Sequence, residues 1–127
     1  FSDAGEGSWF KPYTDTAKKL GITNGIGDNR FGAGMDITRE DLVALSYRAA
    51  KMMNVSFENN EENKKFDDAE SISDYAREAA ESFYCSKIIG GKSEGEFCPK
   101  DNATRAETAK ILCLLKDKIK SDNYVTE

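Results

Sequence analysis

The sequence repeats itself at a fixed offset, and this internal repeat constrains the fold more than any other feature. Five residues of the first half recur 66 positions later: Ile22, Gly25, Phe31, Thr38 and Arg39 return as Ile88, Gly91, Phe97, Thr104 and Arg105. At the same offset Trp9 falls on Tyr75. Self-similarity of this kind is typical of repeat architectures, in which one unit cannot bury its apolar face alone. We therefore expect the function to lie in what the two repeats build together.

Composition limits the classes of protein to which this chain can belong. Its 127 residues, 39% hydrophobic and 32% charged, are one domain's worth of sequence with a modest core. No apolar run approaches the roughly 20 residues of a membrane span, and a net charge of −5 argues against a surface for nucleic acid. The absence of histidine removes the commonest general base and the usual zinc ligand. We expect no membrane insertion, nucleic-acid partner, metal, cofactor or enzymatic activity.

Glycine positions and apolar spacing predict an all-α protein made of tandem helix–loop–helix repeats. All ten glycines fall in three clusters, and the stretches between them carry apolar residues at helical spacing. Four principal helices are predicted near residues 8–20, 38–53, 72–86 and 104–120. Matching positions predict a core-facing stripe on the second helix of each repeat: Leu45, Ala49 and Met53, then Ile111, Leu115 and Ile119.

The second helix of each repeat begins with a capping signal. Thr38 precedes Asp41 by three residues, and Thr104 precedes Glu107 by three, so a threonine N-cap faces a carboxylate in the first turn. Between the repeats the sequence is polar and charged without periodicity. These features divide the chain into repeat 1 (1–54), a polar linker (55–65), repeat 2 (66–120) and a frayed tail (121–127).

Three cysteines lie in the second half, at a spacing that matches no metal or redox pair. Cys113 lies within an apolar helical run and Cys85 near the end of another, which favours burial as small hydrophobic side chains. The alternative, for a secreted protein, is a disulfide between Cys85 and Cys98 that closes a short loop.

Together these motifs resemble the S-layer homology repeat. That family's repeat opens with F-x-D and an aromatic-bearing helix, continues through a Gly-Ile loop with a later Phe, and ends with an I-T-R-A-E helix start. The matching residues of repeat 1 are Phe1, Asp3, Trp9, Gly21, Ile22, Gly25, Phe31 and 37–41. Those of repeat 2 are Phe66, Asp68, Tyr75, Ile88, Gly91, Phe97 and 103–107.

The resemblance implies an extracellular module at the bacterial cell surface. Such a module holds its protein non-covalently on the cell wall, commonly by binding pyruvylated secondary cell-wall polysaccharide. Three repeats usually pack around a pseudo-threefold axis with ligand grooves between neighbours, and the motif adds Asp3 and Asp68 to the ligand-binding set. Because this chain has two repeats, we expect part of such a bundle, completed by a third repeat or by a homo-oligomer, or else a rearranged two-lobed monomer.

The candidate ligand site lies at the starts of the capped helices. Arg39 and Arg105 occupy the first helical position, beside free backbone N–H groups and the positive end of the helix dipole, where a sugar carboxylate would bind. Gly25 and Gly91 let the loop backbone approach a sugar ring, and Trp9 offers an apolar face. The alternative is that each arginine pairs with a nearby carboxylate and ties a loop to its helix.

Three other functions compete with wall binding. A calcium-binding module is suggested by Asp28, Asn29 and Asp36, but Arg30 and Arg39 stand where a calcium loop needs ligands. A protein-binding or assembly module without its own glycan ligand stays open, because a two-repeat array needs a partner to finish its core. An enzyme is the least favoured class, since the repeated carboxylates are helix caps and not a facing pair.

Overall fold

The structure, a computed structural model, describes residues 1–57 and 64–124, with side chains up to Ile119. In that part the helices are α1 (Lys11–Lys19), α2 (Arg39–Met52), α3 (Asp74–Cys85) and α4 (Arg105–Tyr124), with a short 3-10 turn at Ala69–Ser71. Extended pairing within these residues is limited to isolated bridges, so the prediction of an all-α fold is confirmed. No helix in this part is long and apolar enough to cross a membrane.

The helix boundaries differ from the predicted ones for local reasons. α1 begins at Lys11 and not near residue 8, with Pro12 in its first turn, where a missing N–H costs no helical bond. α4 continues to Tyr124, past the predicted end near residue 120 and into the predicted tail. Residues 58–63 of the predicted linker and 125–127 of the tail lie outside the described residues.

The chain divides into two compact units, Phe1–Asp36 (unit 1) and Ile37–Glu127 (unit 2). The division falls inside the first repeat, because α2 packs against α3 and α4 of the second repeat. The sequence repeat therefore marks the duplicated segment, whereas the packing joins the second helix of one repeat to the helices of the next.

Unit 1 consists of α1 and the loop that follows it, residues 20–36, which we call the first loop. The rings of Phe1 and Phe31 pack with their centroids 5.6 Å apart, and the Lys18 ammonium lies 4.8 Å from the centroid of the Phe1 ring. Several large apolar side chains of this unit are exposed: Trp9, Tyr13, Leu20, Ile26 and Met35. Unit 1 thus leaves much of its apolar surface in solvent.

Unit 2 contains the hydrophobic core. α3 buries three alanines, Ala76, Ala79 and Ala80, whose small side chains allow α2 to approach closely. Phe83 of α3 is fully buried and packs edge-on against Tyr47 of α2, with ring centroids 5.9 Å apart. The core of the described residues is completed by Val43, Ala44, Ala50, Val55, Phe66, Ile72, Ile88, Ile89, Phe97, Ile111 and Leu115.

The predicted core stripe is right for part of α4 and wrong for α2. Ile111 and Leu115 are buried, whereas Met53 is half-exposed at the end of α2. α2 instead buries a different face, which carries Val43, Ala44, Tyr47 and Ala50. The two helices do not bury matching positions, because their neighbours differ. α2 packs mainly against α3, whereas in the described part of unit 2 no further helix packs against α4 as α3 packs against α2.

The cysteines are free thiols in three different environments. Cys85 is buried at the end of α3, as expected from the sequence. Its thiol lies 3.6 Å from the Lys64 carbonyl oxygen. The sequence also predicted burial for Cys113, and this prediction is wrong, because Cys113 is exposed on α4. Cys98 is half-buried in the loop between α3 and α4 with a left-handed backbone, φ 58°.

The loop between α3 and α4, residues 86–104, is called the second loop and it joins the start of α2. The N–H groups of Arg39 and Glu40 donate to the carbonyls of Asp101 and Pro99, at 2.8 and 3.0 Å. In return the Ala103 N–H donates to the Ile37 carbonyl at 2.9 Å. Two of the free N–H groups at the helix start are thus satisfied by the next repeat's loop, and this junction positions the candidate site.

Candidate functional site

Arg39 lies buried at the junction of α2 with the second loop, with 6% of its surface exposed. Its Nε donates to the Phe97 carbonyl at 2.8 Å, and its Nη1 lies 2.5 Å from a carboxylate oxygen of Glu107 on α4. The guanidinium also stands 5.2 Å from the centroid of the Phe97 ring. A buried guanidinium needs such partners, since its desolvation is costly without them. Arg39 therefore connects α2, the second loop and α4.

Beside Arg39 lies a cleft of about 170 Å³, which we call the α2–loop groove. Its walls come from the start of α2, the second loop and the first turns of α4. The lining residues are Arg39, Leu42, Val43, Ile88, Ile89, Gly90, Gly91, Lys92, Phe97, Glu107, Lys110 and Ile111. Charged groups at an otherwise apolar cleft are the usual composition of a small-molecule or sugar site.

The shape of the second loop is set by a carboxylate and a glycine. Asp68 accepts the N–H groups of Phe97 and Cys98 at 2.9 and 2.8 Å, which holds the loop beside the groove. Gly91 has φ +95°, and a Cβ there would lie 2.8 Å from the Glu96 carbonyl oxygen. Both predicted ligand residues thus have a structural use in the loop, and of the two only Gly91 lines the groove.

An ion pair closes one rim of the groove. Lys92 Nζ lies 2.6 Å from Asp101 Oδ2. The hydrogen bond between these two side chains lowers the pKa of Asp101 and raises the pKa of Lys92. Both groups therefore stay charged over the ordinary pH range, and Asp101 offsets part of the charge of Lys92.

A polar cluster next to the junction fixes the start of α3. Glu40, with 2% exposure, accepts the Ser73 N–H at 2.9 Å, the Ser73 hydroxyl at 2.8 Å and the Lys100 ammonium. Burial raises the pKa of Glu40, but the bonds from Lys100 and Ser73 outweigh it and leave the pKa below its usual value. No repeated residue pointed to this role, since the second repeat has Ala106 at the matching position.

Both helix starts carry the predicted threonine cap. Thr38 accepts the Asp41 N–H at 3.2 Å, and Thr104 accepts the Glu107 N–H at 3.1 Å. The reciprocal bond of a capping box, from the Thr104 N–H to the Glu107 carboxylate at 3.1 Å, is present in repeat 2. In repeat 1 the Asp41 carboxylate instead accepts a hydrogen bond from the hydroxyl of Tyr75. Burial and this hydrogen bond raise the pKa of Tyr75 to about 12.

In unit 1 the motif residues build the first loop. Asp3 accepts the N–H groups of Phe31, Gly32 and Ala33 at 2.7, 2.8 and 3.2 Å. These bonds, of which the one from Phe31 has the largest effect, lower the pKa of Asp3 to about 2, although partial desolvation acts in the opposite direction. Gly25 has φ +80°, and a Cβ there would overlap the Arg30 carbonyl. Asp3 and Gly25 thus have the same structural uses as Asp68 and Gly91.

The remaining sequence candidates do not line the groove. Trp9 of unit 1 is 79% exposed and packs edge-on against Phe10, with ring centroids 5.5 Å apart. Arg105 is the exposed first residue of α4 and does not line the groove. The suspected calcium ligands Asp28 and Asn29 are turn residues with φ of 51° and 56°. Among the described residues, no group of three acidic or thiol side chains is arranged to hold a metal.

The structure therefore brings together part of the predicted site and adds residues to it. From the predicted set, Arg39, Gly91 and Glu107 meet in the α2–loop groove. Lys92 and Lys110 also line it, but neither is repeated: the matching positions of the first repeat hold Ile26 and Ala44. A comparison of the two repeats could not find these lysines, because it retains only what both repeats share.

Comparison with known proteins gives one family and several long relatives. The model of the family described as the S-layer homology domain matches residues 1–43 and 65–109. The chain is 30% identical over 118 residues to an endoglucanase of Bacillus sp. (strain KSM-635) and 38% identical to an amylopullulanase of Thermoanaerobacterium thermosulfurigenes. It is 36% identical to exoglucanase XynX of Acetivibrio thermocellus. Each match covers 93% of this chain but only 12%, 6% and 11% of the respective relatives.

Proposed function

The chain belongs to the S-layer homology domain family, and we propose that it holds the protein that carries it on the bacterial cell wall. In this proposal the α2–loop groove binds an anionic secondary cell-wall polysaccharide, of which a pyruvylated polymer is the type that the family resemblance implies. The chain itself is not an enzyme: the family model matches residues 1–43 and 65–109, and the enzyme names belong to proteins of which the chain spans a small fraction.

The observation that carries the proposal is the composition of the groove. Three cations and one carboxylate, Arg39, Lys92, Lys110 and Glu107, line an otherwise apolar cleft in a chain whose net charge is −5. A local concentration of positive charge on an acidic protein favours an anionic ligand. The apolar side chains between the cations suit the carbon face of a sugar ring. An anionic glycan is the ligand that satisfies both features.

Arg39 retains hydrogen-bonding capacity for such a ligand. A guanidinium has five N–H donors, and the bonds to Phe97 and Glu107 engage its Nε and Nη1. In this proposal the remaining donors contact a carboxylate or a sugar hydroxyl in the cleft. Because Glu107 neutralises much of its charge, we assign Arg39 a larger part in shaping the groove than in attracting the ligand.

The relatives support attachment as the role of such a module. They are named as enzymes that act on polysaccharides, and they are many times longer than this chain. A non-enzymatic module that recurs in proteins of this kind fits a role in holding the catalytic part at a surface. We extend this role to the present chain, with the bacterial cell surface as its location.

The second candidate function is protein binding or assembly within a surface layer. It is favoured by the exposed apolar side chains of unit 1, Trp9, Tyr13, Leu20, Ile26 and Met35. A third repeat or a second copy of the chain would cover such residues, as repeat arrays require of their ends. Light scattering over a range of concentrations separates a monomer from a homo-oligomer.

The proposal is tested by retention on purified sacculi before and after removal of the non-peptidoglycan polymer. We expect retention on intact sacculi and its loss after extraction. A bulky variant at the groove lining tests the site: a Cβ at Gly90 would meet nothing within 4 Å and the residue has no left-handed φ, so Gly90→Phe adds an aromatic ring at the groove without backbone strain. Gly34→Phe is the matched control, since Gly34 has the same freedom in the first loop.

The expected result is that Gly90→Phe releases the chain from intact sacculi and Gly34→Phe does not. Equal retention of both variants would place the binding surface outside the groove. Retention of the wild-type chain on extracted sacculi would contradict polymer binding.

A further inference from the structure

We propose that Lys110 provides the uncompensated positive charge that binds the ligand's anionic group in the α2–loop groove. This inference rests on the proposed function and assigns the residue that recognises the charge of the polymer. Lys110 lies on the second turn of α4, lines the groove, and has an exposed side chain.

Two of the three cations of the groove are held in ion pairs. Arg39 is paired with Glu107 at 2.5 Å, and Lys92 is paired with Asp101 at 2.6 Å. For an incoming anion, the repulsion from each of these carboxylates reduces the attraction to its cation. In the described part of the chain, Lys110 makes no hydrogen bond or ion pair with a carboxylate. Its charge is therefore the one available to a ligand.

The position of Lys110 in the repeat sharpens this assignment. The matching residue of the first repeat is Ala44, which is buried in the core at 2% exposure. The repeat motif therefore does not specify a lysine at this position. Lys110 stands beside the apolar wall formed by Ile88 and Ile111, where an anionic substituent on a sugar would reach it.

Glu107 limits the charge that the groove can hold. Its carboxylate lines the cleft and is paired with Arg39, and Lys92 is paired with Asp101. Within the described residues Lys110 is therefore the cation of the groove that has no ion pair, and the groove matches one anionic group. That group is a carboxylate or a phosphodiester, because both carry a single negative charge. Glu107→Gln keeps the capping oxygen and releases Arg39 from its ion pair, which should not weaken binding of an anion.

The experiment compares lysine variants of the full chain on intact sacculi. Lys110→Gln removes the charge, and Lys116→Gln is the matched control, since Lys116 is an exposed lysine of α4 outside the groove. We expect about tenfold weaker binding for Lys110→Gln, the effect of one lost charge-assisted contact. We expect Lys116→Gln to bind within about twofold of wild type, because a distant exposed charge is screened by salt, and Lys110→Arg to retain most of the affinity.

The source of the anion is resolved by chemically treated sacculi. Coupling of their carboxyl groups to methylamine removes carboxylate charge and leaves phosphodiesters intact. Loss of wild-type binding after this treatment indicates a carboxylate, and persistence of binding indicates a phosphodiester. Either outcome supports the role of Lys110 if Lys110→Gln binds the intact sacculi more weakly.

The outcomes that overturn the inference differ from those that overturn the proposed function. If wild-type binding depends on the polymer but Lys110→Gln binds like Lys116→Gln, only the assignment of Lys110 is wrong. If wild-type binding does not depend on the polymer, the proposed function and this inference are both wrong.

Discussion

Arg39 and Arg105 occupy the same position of the same motif, yet the structure places them in different environments. Arg39 is 6% exposed and bonded to the second loop and to α4, whereas Arg105 is exposed at the start of α4. The difference comes from the neighbour and not from the motif. The second loop packs on the start of α2, and in the described part of unit 2 no further loop follows to pack on α4. A repeated residue thus acquires its role from the next repeat.

The largest expected effect is a difference in stability between the two arginine variants. Arg39→Ala removes one partner of a mostly buried ion pair and leaves the Phe97 carbonyl without its donor, which should lower the free energy of unfolding by about 2–3 kcal/mol. Arg105→Ala should change it by less than about 0.5 kcal/mol, as at other exposed sites. Urea denaturation of both variants measures the difference, and equal losses would show that the environments are not distinct.

Glycine variants test whether the second loop needs its observed backbone. Gly91→Ala adds a Cβ at φ +95° against the Glu96 carbonyl, so we expect a loss of about 1–3 kcal/mol. The adjacent Gly90→Ala meets nothing within 4 Å and should change stability by less than about 0.5 kcal/mol. Thermal unfolding distinguishes them. A loop that tolerates both alanines would not have the fixed shape on which Arg39 depends.

The threonine caps should behave alike where the arginines do not. Thr38→Ala and Thr104→Ala each remove an acceptor for one N–H of the first turn, which costs about 1 kcal/mol. The caps are local to each helix, so their losses should agree within the error of chemical denaturation. A difference as large as that between the arginines would mean that the next repeat's loop also governs capping.

Acid should affect unit 1 through Asp3. The pKa of Asp3 is lowered to about 2 in the folded chain, from a normal value of 3.8, because its carboxylate accepts three backbone N–H groups. A group with a lowered folded pKa adds stability above its unfolded pKa and loses that contribution as the pH falls toward the folded value.

We therefore expect the order of the first loop to decline between about pH 4 and pH 2, within the range of these two pKa values. The Phe31 amide resonance reports the change. Asp3→Asn should remove this acid-dependent step while leaving the loop less stable at neutral pH. An unchanged acid response in Asp3→Asn would assign the transition to another group.

The parts of the structure that were predictable from sequence are those fixed by neighbours along the chain. The four helices and the caps at Thr38 and Thr104 follow from local spacing, which locates them within a few residues. The buried face of α2 was not predictable, because it is set by contact with the three alanines of α3. The same limit applies to the groove, whose cations come from three elements brought together by packing.

The candidate site shows this limit residue by residue. Arg39 and Gly91 were predictable because both repeats carry them, but their meeting across repeats is a tertiary fact. Lys110 was not predictable, because the matching residue of the first repeat, Ala44, lies in the core. Asp3 and Asp68, taken from the motif as ligand residues, hold loop amides in the structure, and their place in a ligand site remains a proposal.

The most direct test of ligand binding in the α2–loop groove is NMR mapping of the isotopically labelled chain during titration with polymer released from sacculi in soluble form. We expect the largest shift changes in this groove, at Gly90, Gly91, Lys92 and Lys110, with little change at Arg105. Largest changes at Arg105, or around Trp9 and Gly25 in unit 1, would contradict it.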